Sequence, residues 1–81
     1  MLINKILKTI RIKKNLRQED IAKIIGIQAN TYSDWERGRT KKISFEDIEK
    51  IANICDYEIF FRNKTDGKIL TLENIDVDNI K

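Results

Sequence analysis

Gly26 stands between two short runs whose apolar residues recur at helical spacing, residues 18–25 before it and residues 28–37 after it. A helix that stops abruptly at such a junction needs a residue with positive φ, which glycine adopts without steric cost. Ile21, Ala22, Ile25, Ile27, Tyr32 and Trp35 fall where two crossing helices touch. Ala22 belongs at the closest approach, where a larger side chain would push the helices apart. A lone glycine says little. The joint pattern predicts two helices held at a fixed angle by a tight turn.

The rest of the chain is read from the same periodicities. Ile3, Ile6, Leu7 and Ile10 predict an amphipathic first helix over residues 2–14, ended by a loop at Asn15 and Leu16. Ile21, Ala22, Ile24 and Ile25 are expected to face inward from the second helix, and Gly38 ends the third. Ser44 and Asp47 form a capping-box-like start to a fourth helix with Phe45, Ile48, Ile51, Ala52 and Cys55 as its buried stripe. Asp56 occupies the position where a terminal glycine is expected. The period then shortens to two: residues 57–63 and 68–74 read as antiparallel strands around the turn residues 64–67, one face packing on the helices. The expected fold is mainly α, with four helices and a C-terminal two-stranded hairpin. Residues 1–56 form the helical domain, residues 57–75 a hairpin extension of it, and residues 76–81 a frayed tail.

With 81 residues the chain can build a single modest core. No apolar run approaches the roughly 18 residues of a membrane span, and no signal-peptide pattern opens the chain, so a cytoplasmic protein is expected, in a bacterial cell or encoded by a phage. One cysteine and no histidine leave no intrachain disulfide, no cysteine-rich zinc site and no histidine base; no metal and no cofactor are expected. Charge is segregated. Residues 1–17 hold six basic side chains and no acid, whereas from Ile43 onward nine acids face five bases. Such asymmetry suits a surface that meets a polyanion.

The third helix carries Gln28, Asn30, Thr31, Ser33 and Asp34 on the face away from Ile27, Tyr32 and Trp35. Short polar residues are mediocre helix formers. Two short helices joined at a glycine, the second polar on its outer face, is the layout of a helix-turn-helix. Over residues 3–54 the chain resembles the lambda-repressor and Cro-like, or Xre-type, regulators, most specifically in LRQEDIAKIIGI and TYSDWERGR. The resemblance implies that Gln18 grips a DNA phosphate, that Arg11 pairs with Glu36, and that Gln28, Ala29, Asn30, Ser33 and Asp34 read bases. The chemistry agrees: Asn and Gln pair bidentately with adenine, Asp accepts from cytosine, Ser serves either role, and an alanine methyl meets that of thymine. Arg17, Arg37, Arg39, Lys41 and Lys42 would flank the groove and neutralise phosphates, with Thr31 and Tyr32 adding hydroxyls. Arg17 departs from the family pattern, which caps the second helix with Ser or Thr. Tyr32 stands where Val or Ile is commoner, and its hydroxyl must reach water or a phosphate.

Some of these residues also have plainer roles. Trp35 and Cys55 read as core, Asp34 as a surface charge without a base partner, and residues 39–42 as a solvated loop. A module this small touches few base pairs, so a homodimer on two half-sites of double-stranded DNA is expected. The hairpin, through Ile59, Phe60, Phe61 and Ile69, is the expected dimer seam, because an exposed strand edge pairs readily with its twin. An antitoxin or phage regulator whose hairpin grips a protein such as a toxin remains the alternative. No nucleophile–base pair or phosphate loop points to an enzyme.

Overall fold

A computed structural model describes residues 3–40 and 42–71. Helix α1 spans Ile3–Lys13, α2 Gln18–Ile25, α3 Ala29–Arg37 and α4 Phe45–Ile54; strands β1, Phe60–Arg62, and β2, Ile69–Thr71, follow. Each boundary has a local cause. Asn15 takes φ 61° to turn the chain after α1, and the Arg11 Nη1 donates to the Leu16 carbonyl at 2.8 Å across that loop. Arg17 begins α2 with a side chain that can accept nothing. The Asp20 carboxylate instead accepts the Arg17 backbone N–H at 2.8 Å, which is one half of a capping box.

Gly26 closes α2 at φ 81°, and both its N–H and that of Ile27 donate to the Ala22 carbonyl at 2.9 Å. Gly38 closes α3 at φ 73°, and a Cβ there would sit 3.3 Å from the Asn4 amide, so α1 also crowds that position. Gln28 lies one residue outside α3, as its extended N-cap. Ser44 Oγ accepts the Asp47 N–H at 3.1 Å to start α4. Asp56 adopts φ 66° after α4, its carboxylate paired with the Lys14 ammonium beyond the end of α1.

The core joins all four helices. Leu7, Ile21, Tyr32 and Ile51 are wholly enclosed, with Ile10, Ala22, Trp35, Ala52 and Cys55 around them. Burial pushes the Cys55 thiol above its ordinary pKa, which suits a packing role. Two expectations for the core fail. Ile24 is 61% exposed and Phe45 48% exposed, because each lies a step past the contact stripe of a short helix.

Strand β1 is shorter than its sequence pattern, and β2 begins one residue later than expected. Phe60 pairs with Thr71, Phe61 with Leu70 and Arg62 with Ile69. Cross-strand partners share a face, so Phe60 and Ile69 lie on one side, and Phe61 and Leu70 on the other. Neither side is covered by the helices; all four residues are at least 49% exposed. Among the described residues of the hairpin only Ile59, just before β1, packs on the core. Residues 72–81, including the end of the expected second strand and the expected frayed tail, lie outside the described residues.

Tyr32 overturns a further expectation. Its ring meets Trp35 edge-on, with centroids 6.1 Å apart, and the whole side chain is sealed from solvent. The hydroxyl therefore cannot touch a phosphate. It makes no well-formed hydrogen bond among the described residues, and burial, then the nearby Glu36 carboxylate, push the phenol pKa far up. The hydroxyl faces the Glu36 carboxylate without good hydrogen-bond geometry, so Tyr32→Phe removes both a desolvated donor and a weak support for Glu36. The variant is expected to change stability by less than about 1 kcal/mol, checked by urea unfolding; a larger loss would mean that the hydroxyl bonds Glu36 well.

Candidate nucleic-acid interface

The outward edge of α3 is assembled from its first two turns. Gln28, Ala29, Asn30 and Thr31 are exposed, and Ser33 and Asp34 are partly so. Among the described residues the side chains of Gln28, Asn30, Thr31 and Ser33 make no hydrogen bond, so their donors and acceptors face outward uncommitted. The first turn of α3 contains no acid. Its unpaired backbone N–H groups and the positive end of its dipole therefore present a favourable potential to an anion. Asp34 is different, with its carboxylate 3.9 Å from the Arg39 guanidinium.

A buried polar cluster holds this edge in place. The Arg11 Nε donates to Glu36 Oε2 at 2.6 Å and its Nη2 to Oε1 at 3.0 Å, a bidentate pair joining α1 to α3. The Gln18 Nε2 donates to the same Oε1 at 3.0 Å and adds the start of α2. Because an ionised carboxylate only accepts, the amide must turn its nitrogen to Glu36, leaving its oxygen and second N–H for other contacts. The Glu36 side chain is 2% exposed. Burial alone would raise its pKa, but the hydrogen bonds from Arg11 and Gln18, aided by the neighbouring phenol, outweigh that and hold it below the usual carboxylate value. One glutamate thus fixes three helices. Asn4 adds a longer contact from α1, its amide 3.4 Å from the Glu36 carbonyl.

The cations are placed unequally. Arg37 and Lys42 form no ion pair among the described residues. Arg39 lies near Asp34, and Arg17 contacts Glu19 at 3.0 Å and Asp20 at 3.4 Å. These exposed pairs are weak and exchange readily for a phosphate. Lys41 lies outside the described residues. Sequence reasoning missed the Gln18 and Asn4 contacts to Glu36. Neither has a spacing signature, since each depends on how separate helices cross.

A glycine-jointed helix pair with a polar, unpaired outer edge on its second helix defines a helix-turn-helix domain. The helix-turn-helix family matches residues 7–61, and the chain belongs to that family in its Xre-type, lambda-repressor-like form. It is a DNA-binding transcriptional regulator. The chain is similar to the cryptic phage CTXphi transcriptional repressor RstR of Vibrio cholerae, at 30% identity over 79 residues, covering 86% of this chain and 70% of that protein. No solved structure matches the chain significantly. No helix among the described residues is long and apolar enough to cross a membrane.

Proposed function

We propose that the protein is a repressor that binds a two-fold-symmetric operator as a homodimer and reads it with α3. The observation that carries this reading is the run of uncommitted polar side chains, exposed at Gln28 and Asn30 and partly exposed at Ser33, on a helix anchored from beneath by Glu36. Gln28 and Asn30 read adenines, Ala29 meets a thymine methyl, and Ser33 and Asp34 take the flanking bases. Arg37, Arg39, Lys41, Lys42 and Arg17 lie along the phosphates, with Thr31 and the free part of the Gln18 amide. The similarity to a phage repressor supports the sign of regulation.

Selection from random duplexes should return an inverted repeat with half-sites about one helical turn apart. A single asymmetric half-site occupied by monomers would reject the dimer. Asn30→Ala should cost about 1–3 kcal/mol on the selected site and far less on random DNA. Equal losses on both would reassign Asn30 to a phosphate.

The hairpin serves self-association in this reading, through Phe60, Phe61 and Ile69. Ile59 contributes less than its sequence position suggests, because it already packs on its own core. The uncovered apolar faces of the hairpin also favour a second reading, an antitoxin that grips another protein there while α3 binds DNA. Stoichiometric co-purification of a dissimilar small protein, lost on Phe60→Asp, would select it.

A further inference from the structure

Away from α3, an apolar groove of about 310 Å³ runs between α1 and α4, walled by Ile3, Ile6, Ile10, Phe45 and Ile48 and closed by Tyr57. It is open to solvent, with Ile6, Phe45 and Tyr57 between 43% and 51% exposed. Resting on the homodimer reading, we propose that this groove is the seat for the hairpin of a second copy. The Phe61–Leu70 pair of each protomer inserts between α1 and α4 of the other.

Four observations converge on that occupant. The hairpin is apolar on both faces and covered on neither. Edge pairing between two hairpins would extend the sheet but still leave its faces wet, so a second apolar surface is required. A contact through three-residue strands alone is also small beside the roughly 800 Å² per partner of a stable interface. The groove and the hairpin are continuous: Ile59 lines the groove, and by the period of two it shares a face with Phe61. A two-fold axis passing near Ile59 therefore lays the Phe61–Leu70 face of one copy over the groove of the other, as an isologous contact demands.

Charge sets the direction. Residues 59–71 carry Arg62, Lys64 and Lys68 against the single acid Asp66, while Glu58 lines the groove. Lys5 and Lys13 stand on the α1 side, so the basic hairpin tip lies toward α4.

Sedimentation equilibrium on the full chain tests the proposal. Phe45 is half exposed, so Phe45→Lys leaves the core intact, and it should weaken dimerisation about thirtyfold or more, the scale of an interface hot spot. Adding Leu70→Asp to the same chain should restore much of the loss, because each groove lysine then meets the partner's aspartate. In a mixture of Ile6→Cys and Leu70→Cys chains, mild oxidation should form the mixed disulfide in preference to either self-linked pair. Dimers that persist in Phe45→Lys but fall apart in Phe60→Asp would overturn the groove assignment while leaving the homodimer reading standing. A wild-type chain that is monomeric both free and on its operator would remove that reading itself. If residues 72–81 of the same chain fill the groove instead, Phe45→Lys should lower the melting temperature with no change in mass, and the proposal fails.

Discussion

Glu36→Ala is expected to cost about 3–5 kcal/mol of folding stability, because it leaves the Arg11 guanidinium buried without its counter-charge. The Arg11 side chain is 12% exposed, and both its Nε and Nη2 end on the Glu36 carboxylate. The Gln18 amide loses its acceptor at the same time. A domain this small has a total stability of only several kcal/mol, so the variant should be largely unfolded near the growth temperature, with a melting point more than about 12 °C lower. Thermal unfolding followed by circular dichroism measures this directly. A drop of a degree or two would show that the cluster contributes little and that apolar packing alone sets the position of α3.

The same cluster predicts a pH dependence. The folded-state pKa of Glu36 lies below its ordinary 4.5, with the Arg11 and Gln18 hydrogen bonds overcoming burial. A depressed carboxyl contributes stability that is fully present above the unfolded value and disappears as pH falls through the folded one. The stability gap between wild type and Glu36→Gln should therefore be constant above about pH 5 and shrink below pH 4.5. A gap that widens on acidification would reverse the assignment.

Operator affinity should fall steeply with salt. Arg17, Arg37, Arg39 and Lys42 are all exposed around α3, and two of them are free of ion pairs among the described residues. A dimer doubles the set. With roughly six to ten phosphate contacts, affinity should drop by about 10³–10⁵ between 50 and 200 mM monovalent salt, a logarithmic slope near −0.9 per phosphate. Arg37→Ala should lower that slope by about two, one per protomer, while scarcely changing the preference for operator over random DNA. Fluorescence anisotropy across a salt series reads both quantities. A slope shallower than about −3 would place the cations away from the backbone and leave α3 without its electrostatic support.

Much of this protein is decided locally. Gly26 and Gly38 stop two helices because positive φ is a property of the residue. Ser44 starts another because its hydroxyl reaches the N–H three residues on. The 3.6-residue period places Leu7, Ile21 and Ile51 inside without reference to any neighbour. The switch to a two-residue period around a glycine turn announces the hairpin before any pairing is known. Segregated charge and a polar third helix likewise belong to the chain itself.

Other features exist only once the helices cross. Tyr32 looks amphipathic on its own helix, yet lies sealed against Trp35, since α2 and α1 close over it. Ile24 and Phe45 read as core and emerge at the surface, because a helix of eight or ten residues meets its neighbours over too short a length to cover a wide stripe. Glu36 gathers hydrogen bonds from positions 11 and 18, a convergence that no periodicity encodes. The α1–α4 groove and the bare hairpin beside it are properties of assembly as well. Periodicity tells each segment which of its faces is apolar; only the mutual placement of segments determines which apolar faces find a partner within one chain and which are left for another.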